Sequence, residues 1–353
     1  MEPEKLISAH RGAAENPPNR FEKILLEPDA EWDPEADVLP RTQFLKDHSQ
    51  TILSQQASPD IGFGVSINPY RGCEHGCIYC YARPFHEYLG FSAGLDFETK
   101  IMVKERAPEL LRQELASPQW QPQSIFLSGV TDCYQPVERK LKLTRRCLEV
   151  LAEFRNPVFI VTKNQLVTRD IDFLGALARH HAVFVMLSIT TLDADLRKVL
   201  EPRTSPPGAR LAAIHELSAA GIPVGVNIAP VIPGLTDHEM PAILQAAAQA
   251  GATAAGYTIL RLPYAVAPLF EQWLATHFPD RKEKVLNRVR AMRDGKLYDA
   301  QWGERFTGKG IFAEQIAQMF EVARRKAGFK TEVGELSTAS FRRPGGVQLS
   351  LFN

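Results

Sequence analysis

The chain of 353 residues has no run of eighteen apolar residues, so nothing in it reads as a membrane-spanning helix. Its opening, MEPEKLISAHRGAAENPP, has neither the basic n-region nor the apolar core of a secretory signal. Net charge is lacking too: 41 basic and 41 acidic residues cancel, so any attraction to nucleic acid or membrane must come from a local patch. Cysteine is scarce. An odd count of five, in a chain expected to be cytoplasmic, argues against a disulfide framework. There is no fixed-period repeat, no nucleic-acid-binding domain motif and no strong interdomain linker. What is present, 44% hydrophobic and 23% charged residues over this length, suits one large α/β domain with appended segments.

Residues 1–60 are rich in Pro, Asn, Glu and Asp and read as an extended arm, with a short helix predicted over RTQFLKDHSQTILSQ (41–55). From there apolar, β-rich runs recur at 63–68, 124–129, 157–162, 183–189, 223–232 and 254–261. Helical patterns lie between them; RLAAIHELSAAG closes on Gly221 and MPAILQAAAQAG on Gly251, as helix C-termini often do. Six strands alternating with helices imply right-handed crossovers and a parallel sheet. The expected fold is α/β, a partial (β/α)6 TIM-type barrel over 61–262, with an insertion over 91–122 predicted to form a hairpin and helix. A helical extension over 263–330 and a flexible tail over 331–353 complete the expected organisation. Ligands of such sheets bind at the carboxyl ends of the strands.

Three of the five cysteines fall within eight positions, in INPYRGCEHGCIYCYARP (67–84), directly after the first predicted strand. Clustered thiolates select zinc, copper(I) or iron–sulfur chemistry. A structural zinc needs a fourth ligand, here His75 or His86. His75 is cramped between two of the cysteines, and His86 falls in the following helix. Three cysteines on an iron–sulfur cubane leave one iron open to a small molecule. Cys147, in RRCLEVLAEF, sits at an apolar helix position and reads as core.

The C-x3-C-x2-C spacing of CEHGCIYC, with an aromatic just before the last cysteine, resembles the radical S-adenosylmethionine (SAM) enzymes, and its flanks look like the branch related to spore photoproduct lyase. The resemblance covers residues 60–265. It implies a 4Fe–4S cluster on Cys73, Cys77 and Cys80, with Tyr79 against SAM, and reductive cleavage of SAM to a 5′-deoxyadenosyl radical that takes hydrogen from a substrate. Strand ends supply further candidates: Gly129, Thr131 and Asp132 in SGVTDCYQP, Lys163 in VTKN and Ser188 in LSITT. Gly129 permits close backbone approach. Thr131 and Asp132 offer acceptors for the SAM ammonium, Lys163 a cation for its carboxylate, and Ser188 a hydroxyl. The resemblance implies SAM contacts at the positions of Thr131, Asp132, Lys163 and Ser188. Singly, each has an ordinary reading as a turn, cap or strand residue.

In the lyase family a cysteine just ahead of the Ser-Asp pair returns a hydrogen atom to product, and SGVTD has none there. Cys133 follows Asp132 instead, and is read as a shifted donor, a redox thiol or a buried residue without a reaction, since reactivity requires an electropositive, partly exposed setting. Tyr81 matches a tyrosine implicated in radical transfer, and aromatic packing fits it equally. Cys133 and Tyr81 are the candidate catalytic residues. In the tail, Gln348, Leu349, Leu351 and Phe352 of QLSLF resemble a bacterial sliding-clamp motif, which implies recruitment to DNA. In DRKEKVLNRVRAMRDGK, Val285, Val289 and Met292 form an apolar stripe, and Arg281, Lys284 and Arg288 a basic face suited to solvent or phosphate. The expectation is a SAM-cleaving iron–sulfur enzyme, fed by a reductant such as flavodoxin or ferredoxin, acting on a lesion or modified base in DNA. Two alternatives stay open: the same chemistry on RNA, peptide or metabolite, and a non-catalytic clamp or nucleic-acid adaptor with a structural metal.

Overall fold

The computed structural model describes residues 11–21, 41–55, 58–60, 62–329 and 334–344. Its strands are β1 (Gln43–Lys46), β2 (Leu53–Gln55), β3 (Val65–Ile67), β4 (Tyr70–Arg71), β5 (Lys100–Val103), β6 (Ile125–Leu127), β7 (Val158–Thr162), β8 (Val183–Ser188), β9 (Val224–Val231) and β10 (Ala254–Ile259). β3 and β6 to β10 lie inside the six predicted runs. They pair in parallel and in chain order, with β2 antiparallel on the free side of β3. Among the described residues β10 does not pair with β3, so the sheet stays open as a partial barrel. Helices Leu143–Phe154, Ile171–Ala178, Pro207–Ala219 and Met240–Gln249 alternate with β6 to β10. The last two are followed by Gly221 and Gly251, whose φ angles of 73° and 100° are the left-handed turn the sequence predicts.

Side-chain alternation along the strands separates two layers. Ile125, Leu127, Val158, Ile160, Val183, Val185 and Leu187 belong to the large core shared with the covering helices. Their neighbours Phe126, Phe159 and Phe184 form a chain of rings with Phe63, at centroid separations of 4.8–5.9 Å. Phe126 and Val161 also line the cavity at the carboxyl ends of the strands, so this layer forms part of its floor.

Three segments differ from expectation. Residues 41–55, predicted as a helix, carry β1 and β2, because each finds a partner outside the segment: β1 pairs in parallel with β5, and β2 antiparallel with β3. The insertion does not fold as a hairpin on itself. It forms helix Leu95–Thr99, then β5 between β1 and β4 in a small separate sheet, then helix Ala107–Ala116. Residues 334–344, predicted as flexible, are tied along the amino edge of the sheet. There Ser337 N–H donates to His181 O (2.9 Å), Arg342 N–H to Phe154 O (2.9 Å), and the Phe341 ring lies tilted beside that of Phe154, with centroids 6.3 Å apart. The QLSLF motif lies outside the described residues. Past β10 the chain is helical, as Val266–His277, Lys282–Ala291 and Ile311–Lys326. Val285, Val289 and Met292 are buried there, while Arg281, Lys284 and Arg288 face an open groove of about 560 Å³, with Arg288 paired to Asp237 at 3.1 Å. Among the described residues no helix is long and apolar enough to cross a membrane.

Candidate functional site

Cys73, Cys77 and Cys80 follow β4 and line one cavity of about 620 Å³. Their loop is wound by short backbone bonds, Gly76 N–H to Cys73 O (3.3 Å), Cys80 N–H to Cys77 O (3.2 Å) and Arg83 N–H to Cys80 O (3.2 Å). Bonds from Cys73 N–H to Phe97 O (2.9 Å), Glu74 N–H to Gln135 Oε1 (2.9 Å) and Ile78 N–H to Leu200 O (3.2 Å) anchor it from outside, and one buried guanidinium adds the largest single set of contacts. Arg83, fully excluded from solvent, donates to the carbonyls of Gly76, Cys77, Ala93 and Gly94 and pairs with Glu98 at 2.6 Å. Glu98 in turn accepts from Gly12 N–H (3.0 Å) and Ala13 N–H (2.8 Å), so part of the N-terminal arm seals the outside of the loop. Only glycine fits at position 12, since a Cβ there would lie 1.6 Å from Gly76 O. Neither Arg83, Glu98 nor Gly12 is visible as a site residue in the sequence, because 15 and 86 positions separate the partners.

The donor set fits a three-cysteine cluster better than a single metal ion. Tetrahedral zinc would draw its sulfurs to about 3.8 Å from one another. Among the described residues no three His, Cys, Asp or Glu side chains converge closely enough for that. Neither histidine is placed as a fourth ligand. His75 has both ring nitrogens engaged, Nδ1 on Asp132 (3.3 Å) and Nε2 on the Asn164 side chain (3.1 Å). His86, whose Nε2 has no hydrogen-bond partner, is buried against Phe91 and Phe97 and does not line the cavity. Burial pushes the Cys77 thiol well above its ordinary value, and burial with the neighbouring Cys73 takes Cys80 up to about 11. A cationic iron–sulfur centre would reverse that preference.

The strand-end candidates converge on the same cavity, which Tyr79, Gly129, Thr131, Asp132, Lys163 and Ser188 all line. Their bonding is more committed than the sequence suggests. Asp132 Oδ1 accepts from Thr162 Oγ1 (2.7 Å) and Tyr134 N–H (2.9 Å), and Oδ2 from Lys163 N–H (2.8 Å) and His75. A carboxylate has about four acceptor positions, so the protein already fills those assigned above to an ammonium group. Burial opposes its charge, yet His75 and these donors hold the carboxyl below its ordinary value. Thr131 Oγ1 donates to Gly72 O at 2.7 Å, which ties the β6 loop to the start of the cysteine loop. Lys163 Nζ sits 2.7 Å from Ala229 O and 3.1 Å from Glu201. Nothing in the sequence singles out Glu201. Fully buried after helix Ala194–Leu200, it accepts from the Tyr79 and Thr190 hydroxyls and pairs with Lys163 and Arg210. Despite burial, Arg210 and Lys163 hold its carboxyl far below the ordinary range.

The two candidate catalytic residues separate. Tyr81 lines the cavity, donates to Gly129 O at 2.7 Å and carries the Arg261 guanidinium 4.3 Å above its ring. Cys133 does not line it. Completely buried in the main core, with a thiol raised well above its ordinary value by burial and the nearby Asp132, it lacks the exposed, electropositive setting a reactive thiol needs. Adjacent residues explain the difference: Asp132 faces the cavity, and Cys133 the opposite side. Ser128, whose hydroxyl accepts from Cys133 N–H, holds φ at 93°, a strained turn that opens the loop. At the mouth, Phe85, Tyr88 and Tyr264 are 49%, 65% and 59% exposed, and the Arg20 guanidinium lies 4.0 Å from the Tyr264 ring centroid.

A family model described as the Radical SAM superfamily matches residues 67–247. An uncharacterized protein of Mycobacterium tuberculosis is 38% identical over 220 residues, a match that spans 62% of this chain and 65% of that protein's length. A radical SAM Nalpha-GlyT isomerase of Pseudomonas phage M6 is 27% identical over 203 residues, 57% of this chain and 40% of its own. The fold is similar to that of spore photoproduct lyase complexed with dinucleoside spore photoproduct, at a TM-score of 0.56 and 15% identity over 81% of this chain and 79% of the lyase. The family match spans the cysteine loop and four of the parallel strands after it, and the chain belongs to the radical SAM superfamily, whose members use a 4Fe–4S cluster and SAM.

Proposed function

We propose that this chain cleaves SAM reductively and directs the resulting radical at a base in a DNA strand. The observation that carries the reading is one cavity with two chemically distinct ends, thiols at its base and exposed aromatic rings with guanidinium groups at its mouth. When bound and reduced, the family's cofactors supply a 5′-deoxyadenosyl radical that removes hydrogen from a substrate. Cys73, Cys77 and Cys80 are the ligands in this reading. Lys163, whose three donors meet Ala229 O, Thr190 Oγ1 and Glu201, would exchange one of them for the SAM carboxylate, and Tyr79, Gly129, Thr131 and Ser188 line its remaining edges. Asp132 acts by holding His75 and the Lys163 backbone. Phe85, Tyr88 and Tyr264 offer faces on which bases stack, each stacked base being worth about 1–3 kcal/mol. The lyase of similar fold, complexed with a dinucleoside photoproduct, supports the same substrate class. A ferredoxin or flavodoxin in a cytoplasmic setting would supply the electron, and the QLSLF segment would recruit a sliding clamp. Clamp capture that survives truncation after Gly346 removes that last element.

The test is an anaerobic, reduced turnover assay that reports 5′-deoxyadenosine with DNA, RNA and peptide panels. Stimulation by DNA supports the reading, and stimulation only by RNA or peptide overturns its substrate. Cys77→Ala is expected to drop cleavage to the level of reduced buffer. Iron and sulfide of about four each per chain are expected, whereas one zinc without sulfide would favour an adaptor. Tyr81→Phe is expected to lower product yield while SAM is still consumed, because the ring stays and the O–H goes. Cys133→Ala is expected to cost about 1–2 kcal/mol of stability with turnover retained, as a core substitution does; lost turnover in a folded Cys133→Ala protein returns the thiol to the mechanism.

A further inference from the structure

We infer that Arg261 is the seat of a substrate phosphate, a phosphodiester of the strand whose base enters the cavity. This rests on the DNA reading above and adds the group that the substrate must carry. Arg261 follows β10, lines the cavity and is sandwiched between the rings of Tyr81 (4.3 Å) and Phe306 (4.8 Å). Among the described residues no carboxylate pairs with it. The charged and titratable groups that face it are Arg305, Arg293, Tyr81, Tyr298 and Cys80. The neighbouring guanidiniums do not supply the missing anion. Arg305 is matched by Asp60 at 2.6 Å. Arg293, 1% exposed and outside the cavity lining, donates from Nη2 to the carbonyls of Leu260 and Arg305 and is faced by the Asp299 carboxylate, while its Nε and Nη1 have no hydrogen-bond partner. Arg261 therefore gives one wall of the cavity a positive charge that is partly withdrawn from water and has no carboxylate partner among the described residues.

A guanidinium loses hydration on burial and regains it only through an acceptor; stacking on two rings recovers part of that loss. Stacking uses the two faces of the guanidinium and leaves its in-plane N–H donors to be satisfied. The guanidinium fork matches two phosphate oxygens at once, and Tyr264, with its positive φ of 49°, and Tyr298 line the same cavity to take a ring attached to that phosphate.

The test uses cluster-reconstituted, SAM-loaded enzyme without reductant, titrated by fluorescence anisotropy with a labelled ten-nucleotide thymidine strand and with its uncharged methylphosphonate counterpart. Arg261→Gln is expected to weaken binding of the charged strand about tenfold and to flatten its salt dependence by about 0.7 in log–log slope, the loss of one phosphate contact on a single strand. Arg261→Lys, with the charge but not the fork, should fall between, and the methylphosphonate strand should bind wild type and Arg261→Gln equally weakly. Equal affinity of wild type and Arg261→Gln for the charged strand overturns the proposal. So does wild type that binds both strands alike, or binds neither, or a loss confined to SAM affinity. If Arg261→Gln does not fold, Arg261→Lys and the two strands on wild type still decide. Cleavage of SAM by reduced wild type is scored separately, so failure of the chemistry proposed above is distinguishable from failure of the phosphate seat.

Discussion

Arg83→Met is expected to abolish cluster incorporation and to destabilise the fold by about 3–5 kcal/mol, the cost of leaving one member of a buried ion pair without its partner. Met retains most of the aliphatic stem, so the loss is one of charge and hydrogen bonds. Four carbonyls, of Gly76, Cys77, Ala93 and Gly94, lose their donor at once, and Glu98 is left charged at zero exposure. Two of those carbonyls belong to the cysteine loop itself. Glu98→Gln is expected to be milder, because an amide oxygen in the place of Oε1 can still accept from both Ala13 N–H and Arg83, and only the bond from Gly12 N–H to Oε2 is lost. Iron and sulfide content, read beside a denaturant melt, checks both. If Arg83→Met takes up a full cluster at wild-type stability, the loop does not depend on this brace.

What the sequence makes legible here is local. Each of the six parallel strands is found within its predicted run; β7 and β8, VFIVT and VFVMLS, show why, since strands covered on both faces read as near-continuous apolar stretches, while β10, AAGYTI, is only half-buried in its middle and gives a weaker signal. The cysteine spacing is likewise a local signal, carried by eight residues. Features that rest on partners outside the segment are not legible. β1 and β2 take their conformation from pairing with β5 and β3, and nothing within 41–55 announces those partners. Glu98 lies in the insertion whose role the sequence leaves open, and its function appears only when the arm and Arg83 are folded against it. Cys133 shows the limit of nearness in sequence: of the three readings open to it, the buried one agrees with its place in the core, on the other side of the chain from Asp132.

Glu201→Gln is expected to destabilise the protein by a comparable amount, about 3–5 kcal/mol, by leaving two cations without their shared counter-charge. Arg210 is 1% exposed at the carboxylate and Lys163 15%, so solvent replaces little of what is lost. The Tyr79 and Thr190 hydroxyls lose an ionised acceptor as well, and with it the force that holds Tyr79 at the base of the cavity. Because the folded carboxyl is depressed far below its unfolded value, its contribution is present above the ordinary carboxylate range and is lost only as pH falls through the depressed folded value. The difference between wild type and Glu201→Gln should therefore be constant across neutral and mildly alkaline pH and shrink only in acid. Glu201→Asp keeps the charge on a shorter stem and should recover part of the loss. Denaturant melts at several pH values distinguish this from simple packing: a deficit that Glu201→Asp does not relieve, or one that stays the same size in strong acid, would place Glu201 among space-filling residues and leave Lys163 and Tyr79 to be held by Ala229 and Thr190.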